Sequence, residues 1–340
     1  MFLENFKEKI VKIISVRRNL AIIALALFFI GLGAGWTLRQ VLRKGAVEIS
    51  KFEMRESGYK FINPLLECEY GEELFSANFK KPVRDIEEAI KHTVEVNKVK
   101  EASVYYRDLN NGPWFGYNIE AKFSPASLLK VPIMIAYYKK AEDNPEALKK
   151  KIKYKKLENG VPQDIKPEVE LKEGEEYTAD ELIENMIVYS DNNCADLLLK
   201  NIDKNFLIKV YKDLGVAVPR DAEPENFMTV REYAYFFRTL YNSSYLEREM
   251  SEKALEVLSR TKFGNGIRSG LPAGVLVAHK FGERKIITGE EEAAQLHDCG
   301  IIYFPKHNYL LCVMTRGQDF KTLEGLIGKI SDIVYDEVTK

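Results

Sequence analysis

The chain has 340 residues, of which 46% are hydrophobic and 11% aromatic, and 50 Lys and Arg residues nearly balance 51 Asp and Glu residues. These values exclude a disordered chain and are consistent with one catalytic core of about 250 residues plus an accessory N-terminus. Near-neutral charge creates no field that would attract a polyanion, and no zinc-finger, homeodomain or RNP pattern occurs. We therefore expect no nucleic-acid partner.

The cysteine count argues against a disulfide-stapled scaffold. The chain has four cysteines, in no Cys-x-x-Cys or other zinc-ligand spacing: Cys68, Cys194, Cys299 and Cys312. We interpret them mainly as buried thiols and expect no metal site. A disulfide stays open as an alternative if the domain lies outside the cytoplasm.

Residues 20–38 form an uncharged run of 19 residues, which is the length a helix needs to cross a bilayer. Trp36 near the end of the run and Arg39 directly after it are expected interfacial anchors, and the basic residues before the run outnumber those just after it. We predict a cytoplasmic N-terminus at 1–19 and an uncleaved single-pass anchor at 20–40, with the rest outside. Gly31 and Gly35 allow a weak membrane-helix dimer as the alternative to a monomer.

The remainder is predicted to be a stalk or linker at 41–82 and one domain at 83–340. Helical spacing covers 85–94, and strands are predicted at 102–106 and 114–117 around a turn. Helices dominate 128–259, strands return at 274–278, 300–304 and 309–314, and a last helix covers 320–338. This order predicts an α/β (α+β) fold with one sheet built from both ends and an inserted helical lobe.

Two short patterns carry candidate chemistry. Ser127 and Lys130 form Ser-x-x-Lys at the start of an apolar helix, so the lysine can activate the serine hydroxyl if its own pKa is lowered. Further on, Ser190, Asp191 and Asn192 precede another helical run. We predict Ser127 as nucleophile, Lys130 as base, Ser190 as proton relay, Asp191 as a structural residue and Asn192 as a ligand for a substrate amide.

A third pattern, Lys280-Phe281-Gly282, follows Leu-Pro-Ala-Gly at 271–274. The three patterns in this order resemble class A β-lactamases and related penicillin-binding enzymes, and the resemblance covers about 83–340. It implies an antiparallel sheet with an inserted helical lobe, an acyl-serine intermediate, a β-lactam or cell-wall peptide substrate, and no metal or organic cofactor. Together with the predicted anchor, it indicates a location in the bacterial plasma membrane with the catalytic domain extracytoplasmic.

The resemblance further implies a substrate-binding set, in which Lys280 lowers the pKa of Lys130 and the backbone N–H of Glu283 joins that of Ser127 in an oxyanion hole. The set comprises Asn192, Lys280, Gly282 and Glu283.

Two departures affect the expected function. Phe281 replaces the hydroxyl residue that meets the substrate carboxylate in the family. The loop between Gly215 and Thr229 is short, and Glu223 is a weak candidate for the base that activates the deacylating water. We predict β-lactam hydrolysis by an acyl-enzyme route. The alternatives are a penicillin-binding D,D-peptidase and a catalytically inactive cell-wall-binding module.

Overall fold

The computed structural model describes residues 53–55, 58–68, 80–96, 99–110, 112, 114–157, 165, 169–219, 226–288, 291–305 and 307–339. All of them belong to one structural unit, Glu53–Lys340. The predicted cytoplasmic N-terminus and the predicted anchor lie outside the described residues. Within the described ranges, no helix combines the length and apolar character needed to cross a membrane.

The strands are β1 (Glu53–Arg55), β2 (Leu65–Cys68), β3 (Val99–Asp108), β4 (Trp114–Tyr117), β5 (Lys122–Phe123), β6 (Lys151–Lys153), β7 (Glu176–Thr178), β8 (Met228–Thr229), β9 (Leu276–Thr288), β10 (Glu291–Tyr303) and β11 (Tyr309–Gly317). The α-helices are α1 (Lys80–Glu95), α2 (Lys130–Asp143), α3 (Glu146–Lys149), α4 (Ala179–Val188), α5 (Asn192–Asn201), α6 (Lys204–Asp213), α7 (Val230–Tyr241), α8 (Arg248–Ser259) and α9 (Phe320–Val338). Short 3₁₀ helices cover Ala126–Leu129 and Ile267–Gly270.

The main sheet has five antiparallel strands in the order β4-β3-β11-β10-β9. Strands from the two ends of the described chain therefore pair with one another, and the helices from α2 to α8 are inserted between them. The predicted fold is confirmed, and the last helix begins and ends where the sequence placed it. β9 and β10 run well beyond their predicted strands because they pair along their whole length.

Two hydrophobic cores cover the two faces of this sheet. On one face, Ile86 and Ile90 of α1 meet Leu323 and Ile327 of α9. On the other face, the buried side chains of α2, α4, α7 and α8 form the core of the helical lobe. Since β11 is covered on both faces, nearly all of its residues are buried. The sheet is thereby a rigid support for residues that project from β9 and β10.

Residues 58–64, within the predicted stalk, pack on the helical lobe. Phe61 and Ile62 are buried. The Glu252 carboxylate of α8 accepts hydrogen bonds from the backbone N–H groups of Lys60, Phe61 and Ile62 at 2.8–3.1 Å. Residues 60–62 are therefore fixed to α8.

Cys299 and Cys312 lie directly opposite each other on β10 and β11 and form a disulfide. Both are buried in the sheet. Cys194 is a free, buried thiol. The structure therefore contains a disulfide, which the sequence left open as an alternative. Cys194 is one of the predicted buried thiols.

Candidate active site

The turn that carries Ser127 lies between β5 and α2. Pro125 precedes the 3₁₀ helix Ala126–Leu129, and Lys130 is the first residue of α2. Ala126 has φ 49°, a conformation that costs a non-glycine residue about 1–2 kcal/mol. A strained residue directly before a partly exposed serine is typical of a turn that presents a functional group. The prediction that Ser127 lies at a helix start is confirmed.

The second motif lies between α4 and α5, where Ser190 also has a positive φ, 56°. The Asp191 side chain caps α5 by accepting a hydrogen bond from the Cys194 N–H at 3.0 Å. Asp191 also accepts a hydrogen bond from the hydroxyl of Tyr154 at 3.3 Å. Asp191 thus has the structural role predicted for it, because its carboxylate fixes the start of α5 rather than facing Ser127.

Lys130 is buried and connects the first motif to the second. Its Nζ donates hydrogen bonds to the Ser190 carbonyl (2.5 Å), the Ser190 hydroxyl (3.1 Å) and Asn192 Oδ1 (2.6 Å). Ser127 Oγ has no hydrogen-bond partner among the described residues. Proton transfer from Ser127 to Lys130 therefore requires Nζ to exchange one of these bonds for one to Ser127.

Lys280 of β9 reaches the same serine from the other side. Its Nζ donates hydrogen bonds to Ser190 Oγ at 2.9 Å and to the Phe281 carbonyl at 2.9 Å. Two lysine side chains thus converge on one hydroxyl, with Ser190 as the shared acceptor. The structure brings together Lys130, Ser190, Asn192 and Lys280, as the three motifs predicted.

Burial sets the charge state of both lysines. It lowers the pKa of Lys130 to about 7, while Asp191 and Glu283 act in the opposite direction. Burial also holds the pKa of Lys280 well below its usual range, and repulsion from Lys130 adds to this effect. The resemblance implied that Lys280 lowers the pKa of Lys130, but the dominant cause at Lys130 is removal from water. A substantial fraction of Lys130 is then neutral near pH 7.

Gly282 is the point at which β9 approaches the nucleophile turn most closely. A Cβ at this position would lie 2.8 Å from the Pro125 carbonyl oxygen and 2.9 Å from Leu128 Cγ. Only glycine allows this approach without displacing backbone. The close contact brings β9 alongside Ser127, which is the placement that the proposed oxyanion donors, Ser127 and Glu283, require.

The side chain of Glu283 has a partner that the sequence did not indicate. Both carboxylate oxygens accept a hydrogen bond from the backbone N–H of Ile165, at 2.9 and 3.1 Å. Ile165 also packs against the hydrophobic core that contains Phe281. Ile165 is therefore attached to β9 next to Lys280. No spacing in the sequence predicts this contact, because Ile165 lies 118 positions from Glu283.

Phe281 is buried and its ring stacks on Phe263, with centroids 4.3 Å apart. Lys280 Nζ lies 4.1 Å from the centroid of the Phe281 ring. Phe281 offers no hydroxyl to a substrate, as the sequence indicated, and its ring contacts the cation of the third motif.

Of two further charged residues, Arg316 of β11 is described by the structure and Glu223 of the short loop is not. The guanidinium of Arg316 bonds to Glu101 and to the Lys122 carbonyl, so it is already paired with a carboxylate. Glu223 lies outside the described residues. In the described part of the chain, no group of three His, Cys, Asp or Glu side chains has an arrangement that could hold a metal ion.

The fold and this arrangement of polar groups define the class of protein as a serine hydrolase. Residues 85–338 match the family model described as the β-lactamase enzyme family, and the chain belongs to this family. It is therefore an enzyme of the class A β-lactamase-related type rather than a binding module. A comparison with curated protein sequences gave no match.

Solved structures support the same fold. A variant of the last common ancestor of Gram-negative class A β-lactamases is 25% identical, with a TM-score of 0.63 over 74% of this chain and 97% of that chain. The class A β-lactamase from Mycobacterium abscessus is 20% identical, with a TM-score of 0.63 over 75% and 100%. A mutant of PBP-A, solved as an acyl-enzyme complex with penicillin G, is 21% identical, with a TM-score of 0.60 over 75% and 96%.

Proposed function

We propose that this chain is a membrane-anchored, extracytoplasmic β-lactam hydrolase that forms an acyl-enzyme at Ser127. The observation that carries the proposal is the convergence of the Lys130 and Lys280 amines on Ser190 Oγ, 3.1 and 2.9 Å away. Two buried amines on one hydroxyl create a path for a proton between the nucleophile side and the leaving-group side of a substrate. A structural role alone would not require two buried amines at one serine.

The proposed reaction begins when neutral Lys130 exchanges a bond to Ser190 or Asn192 for one to Ser127 and accepts the Ser127 proton. Ser127 Oγ then attacks the β-lactam carbonyl, and the oxyanion accepts hydrogen bonds from the backbone N–H groups of Ser127 and Glu283. The proton passes from Lys130 through Ser190 to the departing nitrogen as the ring opens. Water then cleaves the acyl-enzyme ester to complete hydrolysis.

Lys280 and Asn192 have supporting roles in this scheme. Lys280 holds the Ser190 hydroxyl by a hydrogen bond and supplies positive potential beside the substrate. Asn192, released from Lys130 as the amine turns to Ser127, bonds the substrate amide. Gly282 keeps β9 close enough for these contacts.

A D,D-peptidase acting on cell-wall peptides is the second candidate. It is favoured by the carboxylates near Lys130. Among the described residues, those whose charge acts on Lys130 are Asp191 and Glu283, and each already accepts hydrogen bonds elsewhere. A site without a dedicated base for the deacylating water acylates readily and releases product slowly. A mutant of PBP-A, which shares the fold, was solved as an acyl-enzyme complex with penicillin G.

Time-resolved intact mass of the full chain with penicillin G separates these candidates. We expect one adduct on the wild type, none on Ser127→Ala, and an unchanged adduct on Ser259→Ala as the matched control. An adduct that decays while the drug is consumed supports the β-lactam hydrolase. An adduct that persists, together with release of D-Ala from a wall peptide, supports the peptidase. Labelling of Ser127→Ala would refute the nucleophile assignment.

The proposed location rests on the apolar run at 20–38 and on the buried Cys299–Cys312 disulfide, since disulfides persist mainly outside the cytoplasm. Added protease should degrade residues 53–340 in bacterial cells whose wall has been removed. Protection of this part of the chain until the membrane is broken would contradict the proposed orientation.

A further inference from the structure

The backbone that carries Ser127 is held before the nucleophile at Ser124, three positions earlier, and after it at Leu128, whose carbonyl accepts a hydrogen bond from the Tyr233 hydroxyl at 3.0 Å. Ser124 follows the end of β5 and is buried. Only Pro125 and the strained residue Ala126 lie between Ser124 and the nucleophile. On its N-terminal side, the position of Ser127 therefore depends on what holds Ser124.

Side chains of the main sheet use every polar group of Ser124. Its N–H donates to Gln295 Oε1 at 3.1 Å, and its carbonyl accepts a hydrogen bond from His297 Nε2 at 2.9 Å. Its hydroxyl accepts a hydrogen bond from Arg284 Nη1 at 3.2 Å. Gln295 and His297 are both 0% exposed.

The hydrogen-bond partners fix the orientation of both buried side chains. The Thr315 N–H donates to His297 Nδ1 at 3.2 Å, so Nδ1 is unprotonated and Nε2–H is the donor to Ser124. Burial lowers the pKa of His297 to about 4, which keeps this tautomer neutral near pH 7. Gln295 Nε2 donates to Asn226 Oδ1 at 3.0 Å, and this leaves Oε1 as the acceptor for Ser124.

We infer that Gln295 and His297 are positioning residues for Ser127, acting through Ser124. Buried polar groups in a sheet are costly unless they are hydrogen-bonded, and here Gln295 and His297 each direct one of their hydrogen bonds at the backbone of Ser124. Because only Pro125 and Ala126 separate Ser124 from Ser127, a shift at Ser124 is passed on to the nucleophile. The contact with Asn226 extends this support to the last part of the short loop.

The inference rests on the proposed acylation at Ser127. Its test is the acylation of the full chain by penicillin G, followed by intact mass at several drug concentrations, so that the noncovalent dissociation constant and the maximal acylation rate are obtained separately. Gln295→Met removes the two hydrogen bonds at nearly constant volume. His297→Phe removes the donor to Ser124 and keeps the ring that contacts Phe123. His297→Gln restores a donor.

Gln295→Met and His297→Phe should lower the maximal acylation rate by about 10- to 100-fold, because misplacement by a fraction of an ångström to 1 Å costs this much. The dissociation constant should change by less than about threefold, and His297→Gln should recover part of the rate. Asn226→Ala, at a partly exposed position, should lower the maximal acylation rate about three- to tenfold. This variant tests the inference even if His297→Phe does not fold.

The matched control is Thr239→Val, which removes a buried hydroxyl bonded to the Phe236 carbonyl inside α7. It should acylate at the wild-type rate. Folded Gln295→Met and Asn226→Ala with wild-type rates would overturn the inference while leaving Ser127 as nucleophile. Equal losses in Thr239→Val, or losses confined to the dissociation constant, would overturn it as well. Labelling of Ser127→Ala, or a wild type that penicillin G does not label, would overturn the proposed function together with the inference.

Discussion

Replacing Lys130 with methionine should abolish acylation and stabilise the fold. Burial lowers the Lys130 pKa from 10.5 to about 7, so the folded state disfavours the charged form that the unfolded state holds. At pH 7 this difference corresponds to about 4 kcal/mol, at about 1.4 kcal/mol per pKa unit. The variant loses three hydrogen bonds worth about 1 kcal/mol each. We expect a net gain of about 1–2 kcal/mol in the free energy of unfolding.

The pH dependence of the free energy of unfolding gives a sharper test than the net stability gain of Lys130→Met. Between pH 7 and 10.5 the unfolded chain binds the Lys130 proton more strongly than the folded chain, so stability rises with pH. Lys130 alone should add about 2 kcal/mol between pH 7 and pH 9, and Lys130→Met should lose this increment. The lowered pKa of Lys280 acts in the same direction and leaves a residual rise.

The assay is urea unfolding of residues 53–340 at pH 7, 8 and 9, followed by the fluorescence of Trp114, the one tryptophan of that segment. Lys140→Met, at a partly exposed position on the same helix, is the matched control and should retain the wild-type pH dependence. If the free energy of unfolding changes with pH in the same way for the wild type and Lys130→Met, the pKa of Lys130 is the same in the folded and the unfolded chain. That result would refute the reasoning about its neutral fraction.

Three further outcomes follow from the structure. Gly282→Ala should lower the acylation rate at least tenfold, measured by intact mass with penicillin G, because its Cβ would lie 2.8 Å from a carbonyl oxygen of the nucleophile turn; a wild-type rate would contradict that contact. Glu252→Ala should release residues 60–62, detected as faster amide exchange there, with a stability loss of about 1–3 kcal/mol; unchanged exchange would refute the docking. Peptide mapping without reductant should recover Cys299 and Cys312 in one linked peptide pair, and alkylation of both would exclude the disulfide.

Much of the fold could be predicted because its signals are local. The apolar spacing of residues 85–94 and 320–338 predicts helices that the structure contains, since each places one hydrophobic face on the sheet. The strand predicted at 274–278 was misplaced at both ends. Gly274 instead lies in a turn with φ 89°, and the strand continues to Thr288 because β10 pairs with it throughout. Cross-strand pairing over a long hairpin is a tertiary effect that periodicity within one segment does not reveal.

The sequence predicted which residues form the candidate site, but not the hydrogen bonds between them. Three motifs named the residues that meet, because each motif contains the side chains that the chemistry needs. The bonds from Lys130 to Ser190 and Asn192, rather than to Ser127, depend on how α2 and α5 pack, which no spacing encodes. The support of Ser124 by β10 was missed for a similar reason. The one sequence signal for this support was the presence of two polar residues, Gln295 and His297, in a strand with a buried pattern. The alternation of side chains along a strand does not reveal the hydrogen-bond partners of such residues.

Phe281 shows how a departure from a motif becomes part of the packing. Its ring stacks on Phe263 within the core beneath α1 and α9, so the pair fills space that a threonine would leave empty. Phe281→Thr should therefore lower the free energy of unfolding by about 2–4 kcal/mol in urea titrations, as other large-to-small core changes do. The new side chain would occupy the position of the Phe281 ring, which faces Phe263 in the core. Because of this, the single substitution should not tighten the noncovalent binding of penicillin G, and tenfold tighter binding would show that the missing hydroxyl alone limits recognition.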